Sequence, residues 1–112
     1  VEMQSDILSL ESIKRSFAPV LKAGGAKRAI VFGSYARGEA DEYSDVDLVI
    51  IKETDIPFLD RYTDFQGLFQ VIRKALQILV YTPEEFDDMR ARGNPFILNV
   101  IEDGIVIYEA RS

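Results

Sequence analysis

The chain has 112 residues, of which 47% are hydrophobic, and its 13 basic and 19 acidic residues give a net charge of −6 at pH 7. It has no cysteine and no histidine, which excludes disulfide bridges, Cys or His metal sites and Ser-His catalysis, and leaves carboxylates as metal ligands. The acidic charge makes a long nucleic acid an unsuitable partner, and the length fits one domain over residues 1–112.

The first half of the chain is predicted to contain a helix and two strands. Residues 5–22 form the helix, because Ser5 can cap it and apolar residues recur at helical spacing: Ile7, Leu10, Ile13 (or Lys14), Phe17 and Leu21. Pro19 predicts a kink or a separate last turn, and Gly24-Gly25 predicts the helix end. A strand follows over residues 28–32, then a helical turn over 34–38, a polar loop over 39–44 and a strand up to residue 51.

The second half is predicted to alternate helices and strands. A long helix over residues 57–74 is indicated by an apolar series and by Arg73 and Lys74 at its end: Phe58, Tyr62, Phe65, Phe69, Ile72 and Leu76. A strand is predicted over residues 77–81. Thr82-Pro83-Glu84-Glu85 reads as a capping box that opens a helix ending at Gly93. A further helix runs from Asn94-Pro95 to Gly104, and a last strand covers residues 105–108.

The alternation of elements indicates the fold class. It predicts an α/β (α+β) fold without a linker long enough to mark a domain boundary. The sequence shows no recognisable signal peptide or membrane span, so we expect a cytoplasmic protein with no membrane partner.

Two aspartates, Asp45 and Asp47, stand at the entrance of the second strand. Side chains two apart on a strand share a face, so Val46 points away and the two carboxylates lie roughly 6–7 Å apart. At an effective dielectric constant near 20, two like charges at that distance repel by about 2–3 kcal/mol. A hard divalent cation such as Mg²⁺ would remove the repulsion, and substrate phosphates would complete its ligands. The nearby Tyr35 and Tyr43 could stack on a base, although packing is the stronger expectation.

Gly33-Ser34 follows the first strand directly. Gly33 permits a tight turn, and Ser34 is predicted to cap the short helix, to donate to nucleotide phosphates, or both. If the two strands are antiparallel neighbours, this turn and the aspartates face one pocket. Arg37 lies one helical turn after Ser34, where it could bind phosphate or pair with Asp41, Glu42 or an aspartate of the motif.

The run from Gly33 to Leu48, G-S-Y-A-R-G-E-A-x-x-x-S-D-V-D-L, resembles the signature of the DNA polymerase β-like nucleotidyltransferase superfamily. In its finer form it resembles the minimal nucleotidyltransferase (MNT) family, and the likeness extends over about residues 17–108. The resemblance implies the nucleotidyltransferase fold, a small mixed β-sheet with helices packed on it. The resemblance implies transfer of NMP, expected to be AMP from ATP, to a hydroxyl with Mg²⁺. It assigns Asp45 and Asp47 to metal binding and catalysis, Gly33 and Ser34 to the phosphates, and Arg37 to assistance.

The resemblance also implies a protein partner. Family members often work beside a small helical HEPN protein as a toxin–antitoxin pair, in which the MNT protein is the antitoxin and some add AMP to a tyrosine of the toxin. At this length we expect no separate acceptor-binding domain, and we therefore expect a partner protein or self-association.

The chain departs from the family pattern at Gln77. Family enzymes place a third carboxylate on the strand beside the Asp-x-Asp strand, and alignment through Thr82-Pro83 puts this position at Gln77, with no acid over residues 75–81. The resemblance implies two bound Mg²⁺ ions in family enzymes, whereas this sequence predicts one secure metal site, at Asp45 and Asp47. Two main hypotheses follow. The chain is either an enzyme of reduced turnover or an inactive antitoxin module that binds a nucleotide or a partner. A third reading, an RNA-end modifying enzyme, is disfavoured by the acidic charge.

Overall fold

The computed structural model describes residues 9–72 and 74–111, which contain a four-stranded sheet in the order β3-β2-β1-β4. The strands are β1 Arg28–Phe32, β2 Val46–Ile51, β3 Leu76–Tyr81 and β4 Ile105–Glu109. β1 is antiparallel to β2 and β4, while β2 and β3 are parallel. The mixed sheet confirms the predicted α/β class, and the antiparallel pairing of β1 with β2 confirms the arrangement that the motif requires.

Helix α1, Leu10–Ala23, covers one face of the sheet. Its cap is Ser9, whose Oγ accepts from the Ser12 N–H at 3.0 Å; the predicted cap Ser5 and Ile7 lie outside the described residues. The helix continues through Pro19 and ends at Gly24, so Pro19 does not split off the last turn. Its apolar stripe is buried against the strands: Ile13, Phe17 and Leu21 pack with Ala29, Val31, Leu48 and Ile50.

The prediction of one long helix over residues 57–74 is wrong. The segment forms a 3₁₀ helix, Phe58–Phe65, followed by the short helix α3, Leu68–Val71. Arg61 explains part of the difference, because its buried guanidinium donates to the main-chain carbonyls of Ile56 at 2.7 Å and Val80 at 3.1 Å. Gly67 interrupts the helix where a Cβ would lie 3.3 Å from Val20 of α1. These tertiary contacts override the helical pattern of the apolar residues.

Two helices, α4 Pro83–Ala91 and α5 Pro95–Asp103, cover the other face of the sheet. The capping box at Thr82 and Glu85 is confirmed, and Asn94 caps α5 through Oδ1, which accepts from the Ile97 N–H. A second apolar cluster lies beneath these helices: Ile30, Val49, Ile51, Phe86, Ile97 and Val100. In the described part of the chain, no helix combines the length and the apolar character needed to cross a membrane.

Candidate functional site

The candidate site lies at the end of the central strands, on the face that α5 partly covers. Asp47 belongs to β2 and is directly paired with Phe32 of β1 on one side and with Gln77 of β3 on the other. Asp45 immediately precedes β2 and is exposed, whereas Asp47 is half-buried. The two predicted metal ligands therefore stand at the mouth of a strand that is otherwise buried along its length.

The environment of Asp47 disfavours its negative charge. Its pKa is raised above the ordinary value, first by burial and second by the charge of Asp45, while Arg37 acts in the opposite direction. Burial and a like charge both penalise an ionised carboxyl group. A cation held between the two aspartates would offset both effects, so the electrostatics favour cation binding at this position.

Gly33 forms the turn that closes over Asp47. Its φ of 79° and ψ of −151° lie in a region that residues with a Cβ rarely adopt, and a Cβ at this position would stand 2.5 Å from Oδ2 of Asp47. The turn leads into α2, Ser34–Arg37, where the amides of Ala36 and Arg37 donate to the Gly33 carbonyl. The predicted capping role of Ser34 is wrong, because Gly33 is the N-cap, has no side chain, and makes Ser34 the first helical residue.

Arg37 is exposed and binds Glu39 with Nε and Oε1 2.9 Å apart. Glu39 was not among the partners that the sequence predicted for Arg37. The pKa of Arg37 is raised, first by the hydrogen bond to Glu39, with smaller effects from the charges of Asp103 and Asp47. Exposed ion pairs contribute little stability. Arg37 can therefore exchange Glu39 for a phosphate at small cost.

The loop before Asp45 is held by its own polar groups and by one long side chain. Asp41 Oδ1 accepts from the Tyr43 N–H at 2.9 Å, and Ser44 Oγ accepts from the Asp41 N–H at 2.8 Å. Lys74 reaches across from the segment before β3 and donates to the Glu42 carbonyl at 2.6 Å. The loop is thereby fastened beside the start of β3, although nothing in the sequence marked Lys74 for this role.

The two tyrosines near the motif have different environments. Tyr35 is 4% exposed and belongs to the apolar core beneath α1, as expected from packing. Tyr43 is 84% exposed on the loop beside Asp45, so the expectation that it packs within the chain is wrong.

Gln77 lies beside Asp47 in the parallel register and is exposed. Residues paired across parallel strands point to the same face, so the amide stands next to the carboxylate at the position where the resemblance implies a third acid. No cluster of three or more acidic side chains suited to a metal occurs within residues 9–72 and 74–111. The donor set of Asp45 and Asp47 still fits Mg²⁺, which commonly takes one or two carboxylates and completes its shell with water and phosphate oxygens.

A cavity of about 350 Å³ adjoins Gly33, on the side facing α5. Phe32 and Phe96 meet edge to face in its wall, with ring centroids 5.3 Å apart, and Asn99 and Asp103 add polar groups. The α5 residues were missed from the sequence. The available signal was weak: Asn99 and Asp103 are polar positions four residues apart on a mostly apolar helix.

Comparison with known proteins gives one family and several relatives. The family described as “Polymerase beta, Nucleotidyltransferase” matches residues 4–112. A protein of Methanocaldococcus jannaschii named “Putative protein adenylyltransferase MJ0435” is 36% identical over 74 residues, which are 66% of this chain and 80% of that protein. A second from that organism, “Putative protein adenylyltransferase MJ0604”, is 32% identical over 102 residues, 88% of this chain and 97% of that protein.

Solved structures share the fold. One described as “Structure of putative minimal nucleotidyltransferase” aligns with a TM-score of 0.62 and 27% identity, over 88% of this chain and 95% of that one. Another, “Crystal structure of the toxin-antitoxin with AMP-PNP”, aligns with a TM-score of 0.63 and 16% identity, over 93% and 76% of the two chains. At that identity the second likeness concerns the fold alone.

Proposed function

The chain belongs to the polymerase β nucleotidyltransferase family and is a nucleotidyltransferase, and from this premise we propose that it transfers AMP from Mg²⁺-bound ATP to a hydroxyl group. Asp45 and Asp47 hold the metal ion and act as the catalytic pair. The main chain of Gly33 and Ser34 binds the phosphates, and Arg37 assists them.

One observation supports this function above the others: the Gly33 turn and the Asp47 carboxylate are in immediate contact. A Cβ on Gly33 would stand 2.5 Å from Oδ2 of Asp47, so no side chain separates the turn from the carboxylate. A phosphate on the turn amides and a cation on Asp45 and Asp47 would then be neighbours. This is the arrangement that binding of a metal–nucleotide complex requires.

The transfer forms one bond and breaks another. The acceptor oxygen attacks the α-phosphorus of ATP, the bond from that phosphorus to the bridging oxygen breaks, and pyrophosphate leaves while the hydroxyl proton passes to solvent. The bound ion supplies charge neutralisation for the phosphates. This chain contributes by holding the phosphates at Gly33 and Ser34 and by presenting Arg37 to their charge. The sequence has no histidine, and the neutral Gln77 beside Asp47 cannot accept the proton of the acceptor hydroxyl.

We propose a protein as the acceptor, specifically a tyrosine of a HEPN-type toxin that this chain counteracts as an antitoxin. The relatives named as protein adenylyltransferases support a protein acceptor. The fold neighbour described as a toxin–antitoxin with AMP-PNP supports the pairing with a toxin and the adenine nucleotide.

Calorimetric titration with Mg²⁺ and the non-hydrolysable analogue AMP-PNP tests the nucleotide site without knowledge of the acceptor. We expect Mg²⁺-dependent binding by the wild type and its loss in Asp47→Asn. Asp55→Asn is the matched control, because Asp55 is exposed and outside the site, so the same charge is removed without effect on binding. Absence of binding by the wild type would refute the proposed function.

A second candidate, favoured by Gln77, is a non-catalytic module that acts by covering a partner protein. Labelled AMP transfer to a co-expressed partner discriminates between the two. Transfer that disappears in Asp47→Asn supports the enzyme, whereas neutralisation of the partner that survives this substitution supports the module.

A further inference from the structure

We propose that this site holds one divalent ion together with the nucleotide, and that Gln77 is the residue that prevents a second ion from binding. The inference rests on the proposed nucleotide binding and adds the metal stoichiometry of the site. It starts from the parallel register of β2 and β3, in which Asp47 and Gln77 are direct partners.

The position of Gln77 makes it the neighbour of any metal held by Asp47. Adjacent strands lie about 4.8 Å apart, and paired residues of parallel strands project from the same face. Gln77 is exposed, so its amide is accessible beside the carboxylate. It therefore occupies the place from which the chain could supply one more ligand.

A second ion on the side of Gln77 would need a carboxylate ligand that this chain does not place there. In two-metal sites the ions lie about 3.5–4 Å apart and repel each other strongly, so carboxylates that bridge or flank them must balance the repulsion. Asp45 and Asp47, together with the nucleotide phosphates, supply the ligands of a single Mg²⁺. The amide of Gln77 is neutral, and an amide oxygen offers only a dipole to a second ion.

The surrounding acids do not replace the missing charge. Asp41 is engaged in the hydrogen bonds of the loop before Asp45, and Asp103 lines the neighbouring cavity together with Arg37. Across the described ranges 9–72 and 74–111, acidic side chains form no metal-binding group of three. The triphosphate can complete the ligands of one ion, and in the described part of the chain no third carboxylate joins Asp45 and Asp47 to hold another.

Equilibrium dialysis with Mn²⁺ at saturating AMP-PNP counts the ions held per chain, with Mn²⁺ standing in for Mg²⁺. We expect one ion in the wild type and two in Gln77→Asp, with affinity for the second ion raised by at least roughly tenfold. Even residues that only orient metal ligands change metal affinity by 10–100-fold. Gln70→Asp is the matched control, because Gln70 is an exposed glutamine of α3 outside the site and the same charge is added.

The outcomes separate this inference from the proposed function. Two ions in the wild type, or one ion in both Gln77→Asp and the longer Gln77→Glu when each binds AMP-PNP, would overturn the one-ion site and leave nucleotide binding intact. A wild-type chain that holds no Mn²⁺ with the nucleotide would overturn both. Because the wild-type count is decisive by itself, a variant that fails to fold does not remove the test.

Discussion

Gly33→Ala should reduce both the stability of the fold and its affinity for the nucleotide, for two separate reasons. The backbone of Gly33 lies at φ 79° and ψ −151°, where a residue with a Cβ is strained by about 1–3 kcal/mol. The added methyl group would also stand 2.5 Å from Oδ2 of Asp47, closer than non-bonded atoms approach, so the carboxylate must move. The first effect lowers the free energy of unfolding, and the second displaces a proposed metal ligand.

Gly38→Ala separates the two effects. Gly38 also has a positive φ, 73°, but a Cβ there would meet no atom within 4 Å. Alanine in this left-handed conformation costs roughly 1–2 kcal/mol, which is close to the strain expected at Gly33. Gly33→Ala should therefore lose at least as much stability as Gly38→Ala, and only Gly33→Ala disturbs Asp47.

Urea unfolding in EDTA measures the stability of each variant, and calorimetric titration with Mg²⁺ and AMP-PNP measures the affinity. We expect the affinity to fall at least about tenfold in Gly33→Ala, equivalent to about 1.4 kcal/mol, and to stay within about twofold of wild type in Gly38→Ala. If Gly33→Ala bound the nucleotide as tightly as Gly38→Ala did, the close approach of the Gly33 turn to Asp47 would not contribute to nucleotide binding, and the reasoning would be refuted.

Three further substitutions test the electrostatics around the site and the fold. The pKa of Glu85 is lowered, first by its hydrogen bond to Arg61, so its stabilisation is present above the ordinary carboxyl pKa and is lost as the pH falls through the lowered value. Because 43% of the Glu85 side chain is exposed, Glu85→Gln should cost only roughly 1–2 kcal/mol at pH 7, and urea unfolding should show this cost shrink as the pH falls below the ordinary carboxyl pKa. The pKa of Asp47 is raised, so its ionisation destabilises the folded chain as the pH rises through that value; Asp47→Asn should be at least as stable as wild type at pH 7 in EDTA. Lower stability of Asp47→Asn would contradict that sign. Lys74→Met removes the bond to the Glu42 carbonyl, and should speed amide exchange over residues 41–45 and weaken Mg²⁺–AMP-PNP binding by roughly 2–10-fold; unchanged exchange would show that Lys74 does not hold the loop.

The strands and turns that carry the site could be predicted because residues close together in the sequence determine them. Apolar runs define β1 and β2, and Gly33 and Gly38 bound α2 with the positive φ angles that only glycine readily adopts. The capping residues Thr82 and Asn94 likewise mark the starts of α4 and α5. In each case the chemistry that sets the element lies within a few residues of it, so the sequence pattern is sufficient.

The missed features depend on contacts between distant residues. Nothing near Arg61 in the sequence shows that its guanidinium will bind the Val80 carbonyl and Glu85, yet these bonds fix the 3₁₀ segment that replaces the predicted helix. The bond between Lys74 and Glu42 spans 32 residues, and Asp103 approaches Arg37 only because α5 packs beneath β1. Such pairings follow from the tertiary arrangement, which residue spacing does not specify.

The two aspartates are held by unequal means, and this difference bears on how the site would work. Asp47 belongs to β2, whose residues are hydrogen-bonded to strands on both sides and packed between two apolar clusters. Asp45 is exposed at the end of a loop that depends on Asp41, Ser44 and Lys74 for its shape. A ligand that contacts both carboxylates gains little ordering at Asp47 and must order Asp45 and its loop. We therefore expect the binding of metal and nucleotide to order the loop, which also presents Tyr43 to solvent. Asp47 needs no such ordering, because β2 already holds it in position.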